Sequence, residues 1–173
     1  LLRVTSDLLA QFASIPGLIN SEPLFLGPIC FRQLAQKHTL AIATGRPLSE
    51  ALFPLEQHNM RGYFKMLLSH DECTKAAAEY REATGESCSF GKPHPYMLDT
   101  INAAFANETQ RYFVGDMPDD MLAAKRAQGD FTAVGVAYAN KDTEATAKLL
   151  QANQADIVCK SINELESFLL NQA

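Results

Sequence analysis

"YFVGDMPDDMLAAKRAQ", residues 112–128, runs from an apolar stretch through three carboxylates, Asp116, Asp119 and Asp120, into a segment of helical period. Carboxylates crowded into five positions raise one another's pKa unless something positive lies among them. Such a loop is either fully solvated or built around a cation. The order itself, apolar run then helix, is that of a strand feeding a helix, and it recurs along the chain. Runs rich in Ala, Ile and Val at 39–44, 65–69, 111–115, 132–136 and 156–160 alternate with longer segments of helical period. That alternation predicts an α/β fold with a mainly parallel sheet.

The predicted helices cover about 47–57, 74–84, 95–105, 119–128, 142–151 and 161–170. Pro47 opens the first and Gly85 stops the second, as each residue type does at helix ends. Ser161 and Glu164 have capping-box spacing, and Ile162, Leu165 and Leu169 then share one face. Residues 1–20 read as a helix stopped at Pro16 and Gly17.

Composition narrows the function classes. The 173 residues suffice for one domain with a sizeable core, and 47% hydrophobic with 20% charged residues is ordinary for a globular chain. A net charge of -5 without a Lys/Arg run argues against a nucleic-acid surface. No apolar stretch approaches the roughly 18 residues of a membrane span. Cys30, Cys73, Cys88 and Cys159 are scattered and form no CxxC pair, which suits a reducing, cytoplasmic setting better than a zinc knuckle or a disulfide scaffold.

In an open parallel sheet, ligands bind at the carboxyl ends of the strands. After "LAIA" comes Thr44-Gly45-Arg46-Pro47, a hydroxyl and a flexible backbone at a helix N-terminus, a setting that favours phosphate. Beyond "KMLLS" comes "GKPHPYMLDTI", which holds Lys92 between Gly91 and Pro93. After "YFVG" come the aspartates. Hydroxyl and amides for phosphate, an ammonium for charge, and carboxylates for a hard divalent cation form one phosphoryl-transfer set.

At these residues the sequence resembles the haloacid dehalogenase (HAD) superfamily. Thr44 in "AIATGRP" looks like its second motif, Lys92 in "GKPHPYM" its third, and "VGDMPDDMLAAKRA" its fourth. Gly-Lys-Pro-x-Pro is similar to the subfamily I type, mostly phosphatases, whose helical cap is inserted before the second motif. The resemblance implies a Rossmann-like, three-layer α/β/α core over residues 22–173, with residues 1–21 a remnant of the cap. It implies Mg²⁺-dependent hydrolysis of a small phosphorylated metabolite through an aspartyl-phosphate. Thr44 and Gly45 would bind the phosphoryl oxygens, and Lys92 would bridge phosphate and nucleophile. The metal site would be Asp116 and Asp120, with Asp119 a further candidate: Asp116 would ligate Mg²⁺ directly, and Asp120 would orient a metal-bound water or Lys92.

One departure stands out. The superfamily's first motif, Asp-x-Asp, carries the nucleophile and the general acid, and no Asp-x-Asp precedes Thr44. Forcing "LLRVTSDLL" into the pattern puts Thr5 at the nucleophile and Asp7 at the acid, and Thr has no carboxylate. The expectation is that the motif-bearing strand lies before Leu1. Without it, the flanking strands lose a ladder whose buried unpaired groups cost about 1–3 kcal/mol each, against a total stability of about 5–15 kcal/mol. Residues 1–6, or a second chain, are then expected to fill the slot.

Simpler readings stand beside these. Asp119 and Asp120 suit any helix N-terminus, Thr44 and Gly45 suit any strand-to-helix turn, and a lone lysine is commonly a surface residue. His38, His58, His70 and His94 have no partner at metal-ligand spacing. The alternatives to a phosphatase are a nucleophile-free phosphate- and metal-binding module and a sugar phosphomutase.

Overall fold

The computed structural model describes residues 24–172. Its elements are α1 (Pro28–Lys37), β1 (Leu40–Ala43), α2 (Leu48–Gln57), β2 (Phe64–Leu68), α3 (His70–Thr84), α4 (Tyr96–Ala104), β3 (Tyr112–Gly115), α5 (Pro118–Arg126), β4 (Thr132–Val136), α6 (Thr143–Ala152), β5 (Ile157–Cys159) and α7 (Ile162–Asn171).

The layering follows from the two-residue period of β4. Ala133 points into a cluster with Met121, Ala123 and Ala124 of α5 and Ala147 and Leu150 of α6. Val134 and Val136 point the other way, onto Cys159 and Leu165, with Phe168 and Leu169 of α7 packed alongside. A strand buried on both faces reads as a continuous apolar run, as this one does. Gly135 lets α6 approach closely, since a Cβ there would lie 3.0 Å from Leu150 Cδ1. The result is the α/β/α arrangement expected from the sequence. α1 docks on the C-terminal end of α7, where Lys37 Nζ donates to Leu170 O at 2.6 Å and favours the negative helix end.

Among the described residues all strand pairings are parallel, in two groups: β1 with β2, and β3–β4–β5. Among the described residues no ladder joins β1 to β3. Side-chain packing links the groups instead, because Ala43 of β1 touches both the cluster beneath β4 and a second cluster of Leu68, Cys73 and Met97. The expected filler strand at 1–6 and the cap remnant at 1–21 lie outside the described residues. Among the described residues, no helix is long and apolar enough to cross a membrane.

Two helices differ from expectation. α3 begins at His70 rather than about 74, because buried Ser69 caps it: Asp71 N donates to Ser69 Oγ, and Ser69 N donates to Glu72 Oε2 at 2.7 Å. Ser69-x-x-Glu72 is the capping-box spacing, so the signal was present in the sequence. α1 has no counterpart among the expected helices; it starts at Pro28, where a missing N–H costs nothing.

Candidate functional site

β3 ends at Gly115, and the next residue, Asp116, is exposed. Met117 and Pro118 turn the chain into α5, whose first turn carries Asp119 at the surface and Asp120 only 3% exposed. Both oxygens of Asp120 are engaged. Oδ2 accepts from Met117 N at 3.0 Å, and Oδ1 takes the Lys92 ammonium in a short ion pair. Gly115 makes room for this carboxylate, since a Cβ at that position would overlap it.

Lys92 is held from other sides as well. Its Nζ lies 5.6 Å from the centroid of the Phe113 ring, a favourable placement for a cation. Arg126, in the last turn of α5, donates to the Pro93 carbonyl at 3.1 Å. One helix therefore grips the Lys92 loop at both of its ends. His94 belongs to the packing of this loop: its ring lies 4.8 Å from Phe90, and its Nδ1 accepts from Tyr96 N at 3.1 Å.

At the end of β1, Thr44 N extends the ladder by donating to Leu68 O at 2.9 Å. The Thr44 hydroxyl oxygen accepts from Arg46 N at 3.2 Å, a side-chain turn of the kind hydroxyl residues form. Gly45 is exposed. The amides of the α2 N-terminus are less available to an anion than the sequence suggested, because Leu48 N donates to Asp71 Oδ2 at 2.5 Å. Thr44 and Gly45 thus sit at the carboxyl end of β1, and Asp116 at that of β3, where Asp120 and Lys92 are in direct contact.

The acid–base setting around α3 has clear causes. The Ser69 hydroxyl, as the leading influence, holds the Glu72 carboxyl below its ordinary range. Burial pushes the Cys73 thiol up, with the Glu72 charge adding to it and Lys92 opposing.

Among the described residues, no group of three or more His, Cys, Asp and Glu side chains converges as a metal cage. Asp116 and Asp119 are nonetheless exposed oxygen donors, with Asp116 at a strand end. One or two carboxylates suit Mg²⁺, which keeps most of its waters. Each oxygen of Asp120 already accepts one hydrogen bond, whereas Asp116 and Asp119 could offer theirs to such an ion. Sequence reasoning missed Asp71 and Arg126. Asp71 falls within the capping-box stretch, whereas nothing local marks Arg126.

Residues 89–165 match the family described as HAD-hydrolase-like. No curated protein sequence gives a significant match. Among solved structures, the chain is similar to a HAD-superfamily hydrolase from Ehrlichia chaffeensis, with 13% identity, TM-score 0.52, and coverage of 82% of this chain and 54% of that one. A Haemophilus somnus protein classed by prediction as a phosphoglycolate phosphatase gives 21% identity and TM-score 0.56 over 83% of this chain and 56% of that one. A Thermotoga maritima protein provisionally assigned as a beta-phosphoglucomutase gives 18% identity and TM-score 0.61 over 98% of this chain and 85% of that one. The chain therefore spans little more than half the length of the first two. Residues 89–165 are thus similar to HAD-like hydrolase sequences, and the α/β fold of the chain is similar to that of these solved structures.

Proposed function

We propose that this chain forms most of the core of a Mg²⁺-dependent phosphoric monoester hydrolase acting on a small phosphorylated metabolite. Hydrolysis runs through an aspartyl-phosphate whose aspartate is not among residues 24–172. The observation that carries the reading is the Lys92–Asp120 pair. A nearly buried carboxylate gives both of its oxygens to fixing an ammonium and the amide of Met117 that opens α5. Holding a charge in place at the mouth of a parallel sheet is useful when an anion must be met there.

In this reading the Thr44 hydroxyl and the Gly45 amide donate to the phosphoryl oxygens. Lys92 lies between phosphate and nucleophile and offsets the charge that builds in the transition state. Asp120 and Arg126 keep Lys92 and its loop from rotating away. Mg²⁺ held by Asp116 would neutralise phosphoryl charge. A phosphomutase would use the same residues and differ in its acceptor, a sugar in place of water; the likeness to the Thermotoga maritima protein keeps that second reading in view.

The test is release of inorganic phosphate from small phosphate monoesters by the intact protein, with and without Mg²⁺. Asp116→Ala is expected to abolish Mg²⁺-dependent turnover, and Lys92→Ala to lower kcat more than it raises KM. Full activity in Asp116→Ala overturns the metal assignment. Phosphate binding without turnover of any monoester would leave a binding module instead.

A further inference from the structure

We propose that Asp71 is a positioning residue for the Thr44–Gly45 turn, acting through the first amide of α2. The proposal rests on the reading of that turn as a phosphate site.

The first amides of a helix need acceptors from outside it. The N-cap of α2 is Pro47, which supplies no side-chain acceptor. Asp71, 23 residues further along the chain, supplies one to Leu48 N. On the other side of Pro47, Arg46 O accepts from His70 N at 2.9 Å. Residues 46 and 48 are thus pinned by residues 70 and 71, and Arg46 N in turn reaches the Thr44 hydroxyl oxygen. The anchor is firm at its base. Ser69 is fully buried, its Oγ accepts from Asp71 N at 3.1 Å and lies 3.2 Å from Asp71 Oδ2, and its single proton has Glu72 Oε2 at 2.5 Å. The turn that would meet phosphate is therefore shaped by the first turn of α3 as well as by its own Thr44.

The sign of the effect separates this role from an electrostatic one. A carboxylate beside an anion site opposes binding through its charge and favours it by holding the turn. Asn in its place keeps an acceptor oxygen and drops the charge; Ala drops both.

The experiment follows the Gly45 and Leu48 amides by NMR in the ¹⁵N-labelled intact protein with Mg²⁺, titrated with inorganic phosphate. Asp71→Asn should keep Leu48 amide exchange near that of the unsubstituted protein, with phosphate bound as tightly or more so. Asp71→Ala should speed that exchange and weaken phosphate binding, each by roughly two- to tenfold, the worth of one hydrogen bond. If the Ala variant does not fold, Asp71→Ser, too short to reach Leu48, takes its place. Equal shifts of phosphate affinity in the Asn and Ala variants, or unchanged Leu48 exchange in Asp71→Ala, overturn the role of Asp71 alone. An unsubstituted protein that binds no phosphate overturns the phosphate reading, and the proposal falls with it.

Discussion

Gly115→Ala tests the centre of the candidate site with a single methyl group. The new Cβ would overlap the Cβ, Cγ and Oδ2 atoms of Asp120. The side chain must swing away or the end of β3 must shift. Inserting a methyl into packed surroundings costs about 1–3 kcal/mol. Displacing Asp120 also weakens its pair with Lys92. Breaking a buried pair costs about 3–5 kcal/mol, but a Lys92 side chain that is 21% exposed can recover part of that from water. A total of about 3 kcal/mol is expected, roughly a hundredfold in the folding equilibrium, and tolerable against a stability of about 5–15 kcal/mol. The assay is urea unfolding followed by far-UV circular dichroism, since the chain has no Trp. The midpoint should fall while the slope holds. Asp120→Gly removes all three overlapped atoms. In that background the same substitution should cost less than about 1 kcal/mol, a coupling of about 2 kcal/mol. Equal cost in both backgrounds would refute the reasoning.

Two further predictions concern titration and thiol chemistry. Hydrogen bonding from Ser69 lowers the Glu72 carboxyl from its usual value of 4.5, so its contribution is complete above that value and is lost as pH falls through the folded-state pKa. Stability should therefore decline as pH drops below about 4.5, and Glu72→Gln should flatten the decline; an unchanged slope in that variant counts against the Ser69 hydrogen bond. Burial, with Glu166 adding, pushes the Cys30 thiol up to about 11, and burial also raises Cys73 and Cys159. Alkylation of the folded protein at mildly alkaline pH should label half-buried Cys88 first, as peptide mapping by mass spectrometry would show, and equal labelling of Cys159 would contradict the packing around β5.

The alternation of apolar and helical segments made the strands legible to within a residue or so, because a buried parallel strand has nowhere to place a polar side chain. β4 coincides with its expected range. Helix starts were harder. The onset of α3 depends on how one hydroxyl, that of Ser69, shares its hydrogen bonds with Asp71 and Glu72. The candidate site residues were read from short motifs, which mark where side chains emerge. The supports around them were not legible. Asp71 meets Leu48 across 23 residues, and Arg126 meets Pro93 across 33. Neither pair leaves a periodic or local trace, since each is created by the packing of separate elements. The division of the strands into two ladders depends likewise on pairing, which a list of apolar runs does not specify.

The grip of α5 on the Lys92 loop makes that helix a ruler. Asp120 and Arg126 are six residues apart, about 9 Å along a helix axis, and they fix the ammonium of Lys92 and the carbonyl of Pro93 respectively. One residue inserted between them would turn the far mark by about 100° and advance it by about 1.5 Å, so that one grip survives only at the expense of the other. Seven residues, two turns, would bring the marks back to within about 20° of alignment, but some 10 Å further apart than the loop they must span. The length of α5 is thus set by the chain it clasps, and a change of even one residue should be read first in the placement of Lys92.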